Sequence, residues 1–149
     1  LYLDELIADC RRALAVLAAD HHVAVQSAAL PEIPFVGDED LLKRMLVNLV
    51  QNAVHHTRAG GTVSIGLSNG SAIAIDVTDE GTGIAAEDRD RIFDRFVQLD
   101  RSRRGVGSGL GLTIARWIAE AHGGSLTLES SSAAGSTFRV VLPVTPSSS

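Results

Sequence analysis

The stretch RRGVGSGLGLTIA, Arg103 to Ala115, places a glycine at every second position and then continues into an apolar segment with helical spacing. Glycine at this density indicates that the backbone approaches something closely or adopts positive φ. Backbone N–H groups at a helix N-terminus are unpaired and lie at the positive end of the helix dipole, so they bind anions. The stretch therefore predicts phosphate contact at the start of a helix, with a merely flexible connection as the alternative.

Two other phosphate-binding loops do not fit these residues. A Walker A loop needs a lysine after its glycines, and no lysine stands in or after this stretch. The dinucleotide fingerprint needs a third glycine where the chain has Leu110 and Leu112, and a strand where the chain has a charged loop. The glycines therefore do not identify their ligand by themselves.

The segment VNLVQNAVHHT carries two asparagines on a predicted helix from Asp40 to His56. Asn48 and Asn52 are four residues apart and so lie on one helical face. Asparagine is a poor residue for a helix interior, because its side chain competes for backbone hydrogen bonds. The pair is either a solvated polar stripe or a source of neutral oxygen ligands for Mg²⁺.

The segment DEGTGI follows directly on an apolar strand and starts with the carboxylate of Asp79. Gly81 and Gly83 come next, and the segment could be a plain turn. It could equally hold the edge of a base, with Asp79 accepting a hydrogen bond from an exocyclic amine and the glycines making room for the ring.

Hydrophobic periodicity gives the order of elements along the chain. It predicts helices over Leu3–Ala19, Asp40–His56 and about Ser108–His122, the second capped by Asp38. Alternating residues around Asn69-Gly70 predict a hairpin with a two-residue type I′ turn. Five strands are predicted, in HVAVQ, TVSIGLS, SAIAIDVTD, SLTLES and STFRVVLP. This order is typical of a mixed sheet covered on one face by helices.

Composition limits the class of protein. With 149 residues, 45% hydrophobic and 21% charged, the chain predicts one globular domain over residues 1–144 and a flexible polar tail over 145–149. The net charge of −5 argues against nucleic-acid binding. The single Cys10 cannot form an internal disulfide, and we expect it in the core. No run of the sequence is typical of a membrane span or a signal peptide.

Five stretches together resemble a known family. NLVQNAVHHT, DEGTGI, RIFDRF, GSGLGL and GSTF are similar, in this order, to the N, G1, F, G2 and G3 boxes of bacterial two-component sensor histidine kinases. The resemblance is to their catalytic ATP-binding (HATPase_c) domain, of the GHKL superfamily. It implies a Bergerat fold, a two-layer α/β sandwich with a mixed five-stranded sheet packed against three helices.

The resemblance implies ATP and Mg²⁺ as ligands and gives each matching residue a role. Asp79 would bind the adenine amino group, Gly83 would help to seat the ring, and Thr137 would assist at the adenine end. Asn52 would coordinate Mg²⁺, with Asn48 in support. The implied nucleotide site comprises Asn48, Asn52, His55, Asp79, Gly81, Gly83, Ile84, Arg103, Arg104, Gly107, Gly109, Leu110, Gly111 and Thr137.

The segment from Val97 to Gly105 is similar to the family's ATP lid, with Gly105 as its hinge. Arg103 and Arg104 would attract the phosphates, and His55 stands where many members have Lys or Arg. Phe93 and Phe96 would anchor the start of the lid or serve as core aromatics. The backbone amides of Gly107, Gly109, Leu110 and Gly111 would cradle the phosphates.

The resemblance also favours a kinase over a hydrolase. The superfamily's hydrolases carry a catalytic glutamate where this chain has Asn48, which cannot act as a base. The implied function is donation of the γ-phosphate to a histidine on a dimerisation domain outside this chain, and onward to a response regulator. No catalytic residue is expected beyond the nucleotide site, and we expect a monomeric, cytoplasmic domain. An ATPase, or a nucleotide-binding module without phosphotransfer, is the alternative.

Overall fold

The computed structural model of the chain describes residues 1–89, 91–93 and 111–144. Five strands form one sheet: β1 (Ala24–Ser27), β2 (Thr62–Asn69), β3 (Ile73–Thr78), β4 (Ser125–Ser132) and β5 (Gly135–Leu142). Their order is β1-β2-β3-β5-β4, with β1 parallel to β2 and the other neighbours antiparallel. The predicted mixed five-stranded sheet is confirmed.

The helices cover one face of this sheet. They are α1 (Leu3–Ala13), α2 (Ala15–Asp20), α3 (Glu39–His56) and α4 (Gly111–Ala121). Burial alternates along β3 and β5, so that one face packs in the core while the other carries the Asp76–Arg139 ion pair. The two-layer α/β arrangement is therefore confirmed. Within the described ranges, no helix combines the length and the apolar character needed to cross a membrane.

The first helix, predicted over Leu3–Ala19, is observed as two helices, α1 and α2, with a bend at Leu14. This residue has φ −100° and ψ 5°, outside helical values. Its N–H still donates to the Cys10 carbonyl at 3.1 Å, and its carbonyl accepts from the Ala18 N–H at 2.9 Å. The two pieces thus follow one another as a single bent helical unit.

The start of α3 and the end of α4 follow the sequence signals. The Asp38 side chain accepts from the Leu41 N–H at 3.0 Å and caps α3 as predicted. Gly123, just beyond α4, has φ +79°, the left-handed conformation that commonly ends a helix.

The prediction of a two-residue turn at Asn69-Gly70 is wrong. Asn69 pairs with Ile73, so the β2–β3 connection has three residues, 70–72. Neither Asn69 nor Gly70 has the positive φ that a type I′ turn needs. The observed register sets Ile65 opposite Val77, both buried, whereas a two-residue turn would shift the pairing by an odd number of residues. Because such a shift turns every side chain to the other face, burial decides the turn.

Candidate functional site

Asp79 directly follows β3, and its side chain is buried, with 4% of its surface exposed. Its Oδ1 accepts two backbone hydrogen bonds, from the Gly81 N–H at 3.0 Å and from the Ser136 N–H at 3.1 Å. Burial raises the pKa of this carboxyl, and the two amide hydrogen bonds oppose that shift. Since both bonds use Oδ1, Oδ2 is the oxygen that they leave to accept from an exocyclic amine.

Two glycines of the Asp79–Ile84 loop lie against neighbouring backbone. A Cβ on Gly81 would stand 2.2 Å from the carbonyl oxygen of His56, the last residue of α3. Gly83 has φ +85°, and a Cβ there would stand 2.2 Å from the carbonyl oxygen of Ser132. The loop therefore packs closely between the end of α3 and the β4–β5 hairpin, and only glycine fits at these two positions.

The hairpin tip, residues 131–136, forms the other wall of the loop. Gly135 has φ +139°, and a Cβ on it would stand 2.0 Å from the Asp79 carbonyl oxygen. The Ser131 hydroxyl accepts from the Ile84 N–H at 2.7 Å and lies 2.8 Å from the Ser136 hydroxyl. The tip thus holds both the carboxylate and the loop that follows it.

Thr137 lies next to Ser136 at the start of β5. Its hydroxyl is 3.0 Å from that of Thr78, on the face of the sheet that the helices do not cover. Ser136, one residue earlier, is 4% exposed and is the residue that contacts Asp79. Alternation with buried Phe138 indicates that the Ser136 side chain faces the core, because residues two apart share a face, but the contact with Asp79 is made by the Ser136 backbone N–H.

The two asparagines of α3 have different surroundings. Asn48 Nδ2 donates to the Gly111 carbonyl at 3.3 Å and so joins α3 to the first residue of α4. Asn52 Nδ2 is buried, and the described residues offer it no hydrogen-bond partner. An unsatisfied buried donor costs about 1–3 kcal/mol, so packing among the described residues does not account for this amide. Its amide fits a ligand that brings partners of its own.

The donor Nδ2 of Asn52 suits a phosphate oxygen, and the oxygen of the same amide suits Mg²⁺. Mg²⁺ takes one or two protein oxygens and completes its shell with phosphate oxygens and waters. The Asn52 amide supplies a neutral oxygen on the helix that ends beside the Asp79–Ile84 loop. His55, one turn further on, packs edge to face against His21, with ring centroids 4.8 Å apart. Asn52 and His55 thus lie in the last two turns of α3, whose last residue, His56, lies against Gly81 of the loop.

The glycine-rich stretch lies mostly outside the described residues. This applies to the predicted phosphate-contacting residues Arg103, Arg104, Gly107, Gly109 and Leu110, and to the lid with Gly105 and Phe96. Gly111 is the first residue of α4, and a Cβ on it would meet no described atom within 4 Å. Packing among the described residues therefore does not require glycine at this position.

Phe93, the last described residue before that gap, is fixed to α4. Its carbonyl accepts from the Thr113 hydroxyl at 2.5 Å. Its ring meets Phe138 edge to face, with centroids 6.1 Å apart, and the Arg116 guanidinium lies 4.9 Å from its centroid. The segment that leads into the predicted lid is thus anchored by both a hydrogen bond and aromatic packing.

Comparison with known proteins agrees with this geometry. The model of a family described as histidine kinase-, DNA gyrase B- and HSP90-like ATPase matches residues 37–146. The sensor histidine kinase RppB of Synechocystis sp. is 41% identical over 146 residues, which make up 95% of this chain and 32% of RppB. The chain thus spans about a third of that relative's length.

Two solved structures are similar throughout the chain. The mycobacterial sensor histidine kinase MprB has a TM-score of 0.82 at 27% identity, with 96% of each chain covered. Full-length ShkA, solved in complex with AMPPNP, has a TM-score of 0.84 at 29% identity, covering 96% of this chain and 30% of ShkA. The Bergerat-type arrangement of sheet and helices is therefore that of sensor kinases.

Proposed function

The chain belongs to the family of histidine kinase-, DNA gyrase B- and HSP90-like ATPases, and we propose that it is the catalytic domain of a sensor histidine kinase. It binds Mg-ATP and donates the γ-phosphate to a histidine on a dimerisation domain outside this chain. The observation that carries the proposal is Asp79, a buried carboxylate held by two backbone amides beside close-packed glycines. With Oδ1 held by the two amides, Oδ2 is left to accept a hydrogen bond from the exocyclic amine of adenine.

Asn52 is the residue of this chain that would hold the magnesium ion. When bound, the ion neutralises charge on the phosphates as the γ-phosphoryl group leaves. Asn52 would offer its amide oxygen to the ion, while its buried Nδ2 would donate to a phosphate oxygen. The predicted phosphate contacts from Arg103, Arg104, the alternating glycines and His55 remain part of the same proposal.

Asn48 supports transfer to a protein rather than to water. An amide cannot accept a proton from an attacking water, and here Nδ2 is also engaged by the Gly111 carbonyl. Phosphoryl transfer depends mainly on positioning and charge neutralisation, so a domain without such a base can deliver phosphate to another nucleophile. The partners of this function are the dimerisation domain of the same kinase and a response regulator, and its compartment is the cytoplasm.

The nucleotide site is tested with Asp79→Asn. If Oδ1 keeps both amide hydrogen bonds, the new amide nitrogen faces the adenine amine, and two donors then oppose each other. We expect titration with a fluorescent ATP analogue to show no binding by this variant. Asp76→Asn is the matched control, since Asp76 lies on β3 but on the uncovered face, paired with Arg139. Equal affinity of Asp79→Asn and the wild type would overturn the site assignment.

The kinase assignment is tested with labelled ATP. The chain alone is expected to incorporate negligible phosphate, and labelling should appear on the dimerisation segment of the parent kinase when that segment is added in trans. Phosphate release at steady state without the acceptor would instead identify a hydrolysing ATPase. Nucleotide binding with neither transfer nor release would identify a binding module.

A further inference from the structure

Arg58, which follows α3 by two residues, joins the Asp79–Ile84 loop to the hairpin tip. Its terminal guanidinium nitrogen Nη2 donates to the Ala133 carbonyl at 2.8 Å and to the Gly81 carbonyl at 3.4 Å. The first carbonyl belongs to the tip and the second to the loop. One side chain therefore fixes the separation of these two segments on the side nearest α3.

Arg89 makes the same kind of bridge at the other end of the loop. Its Nε donates to the Ile84 carbonyl at 3.2 Å, and its Nη2 donates to the Ser131 carbonyl at 3.0 Å. Again one carbonyl belongs to the loop and one to the tip. A guanidinium suits this task because its donors form a rigid fork, whereas an ammonium offers a single point of attachment.

The loop needs such ties because of its own glycines. Gly81 and Gly83 allow the close approach, but glycine also loses more conformational freedom on ordering than any other residue. The position of Gly81 matters directly, because its N–H is one of the two donors that hold Asp79 Oδ1. A loop free to move away from the tip would release that bond and misplace the carboxylate.

We propose that Arg58 and Arg89 are positioning residues that hold the Asp79–Ile84 loop in its nucleotide-binding conformation. They act through backbone carbonyls, and the structure gives them no direct part in recognising the base. The proposal rests on the proposed function, since it concerns the affinity of the same site. Both arginines are solvent-exposed, so their bridges add order to the loop without being part of the core.

The test measures nucleotide affinity and stability in Arg58→Ala, Arg89→Ala and the double variant. Each single change is expected to raise the dissociation constant of ATP about threefold to tenfold, the effect of losing a typical intramolecular hydrogen bond, and the double change to raise it further. The melting temperature of the nucleotide-free domain should change no more than in the control Arg12→Ala, which removes an exposed arginine from α1. Arg89→Lys, with one donor group, should recover only part of the affinity.

Comparison of ATP with AMP separates positioning from direct contact. An arginine that orders the adenine loop weakens both nucleotides by the same factor. A greater loss for ATP than for AMP would mean a direct phosphate contact and would overturn the proposal. Unchanged affinity in the double variant, or a loss explained by a lower melting temperature, would also overturn it. If the wild type binds neither nucleotide, the proposed function fails and this inference fails with it.

Discussion

At the scale of single residues, Asp79 is an acidic side chain in a buried position that disfavours its ionised form. Burial raises its pKa, so the ionised side chain costs folding free energy in the nucleotide-free domain. Asp79→Asn keeps an acceptor for both amides and removes the charge. We therefore predict an unchanged or higher melting temperature at neutral pH for this variant, measured by thermal unfolding, although it no longer binds nucleotide. A clearly lower melting temperature would show that the charge stabilises the fold.

The same carboxyl predicts opposite pH dependences for stability and binding. Because the pKa of Asp79 is higher in the folded chain than in the unfolded chain, the folded state binds more protons, and its contribution to stability grows as pH falls through the folded pKa. A protonated carboxyl accepts more weakly from the adenine amine, so ATP affinity should fall over that same interval. Titrations and melting curves from neutral pH downward measure both. In Asp79→Asn this contribution to the pH dependence of stability should be missing.

Sequence reasoning reached some site residues and not others for physical reasons. Asp79 and its two glycines were found because a charge at a strand end followed by glycines is a local pattern. Ser136 contacts Asp79 through its backbone N–H, which side-chain periodicity along β5 does not reveal. Arg58 and Arg89 have no such signal, because their partners are backbone carbonyls that lie close only in the folded chain.

At the scale of elements, the hairpin tip is shaped to fit the strand that carries Asp79. In Gly135→Ala, the added Cβ would meet the Asp79 carbonyl oxygen, and φ of +139° would be strained. We predict a loss of about 1–3 kcal/mol in the free energy of unfolding, the usual cost of overpacking, together with weaker ATP binding. Urea unfolding and nucleotide titration measure these effects.

The matched control for this change is Gly66→Ala, in β2. A Cβ there meets no described atom within 4 Å, and φ lies outside the left-handed range, so stability should hardly change. If Gly135→Ala were as stable as Gly66→Ala, the tip would be able to move away from Asp79, and its role as a wall of the site would be contradicted.

At the β2–β3 turn, the pairing of the two strands overrides the local turn signal. Asn-Gly is a strong turn signal, and it identified the hairpin, but not the length of its connection. The pairing of Ile65 with Val77 requires a register that three connecting residues provide. Turn chemistry contributes less than the burial of several apolar side chains, so the register is set by the core.

At the scale of the whole molecule, the sequence pattern predicts which face of a strand is covered, but it does not predict which strands pair. Alternation along β3 and β5 correctly indicated a covered and an uncovered face. The order β1-β2-β3-β5-β4 sets β5 between β3 and β4, and periodicity holds no information about which strands pair. This placement matters for the site, because it brings the residues that begin β5 beside Asp79.

Labelling of Cys10 can show whether the core unfolds as one unit. Cys10 lies in α1 with none of its surface exposed, and burial raises the pKa of its thiol to about 12, so it is both covered and protonated. It packs in the hydrophobic core cluster that also contains buried side chains of α3 and α4. We predict that a thiol reagent labels Cys10 in native buffer only through unfolding of that core.

ATP should then protect a thiol that it does not touch. A ligand at one hundred times its dissociation constant stabilises the folded state by about 2.7 kcal/mol, which corresponds to about a hundredfold decrease in the unfolded population. If α1 opens only when the whole domain unfolds, saturating Mg-ATP should slow labelling by about that factor in the wild type and not in Asp79→Asn. Slow labelling that ATP leaves unchanged would mean that α1 opens separately from the nucleotide site. Fast labelling without ATP would contradict the burial of the thiol.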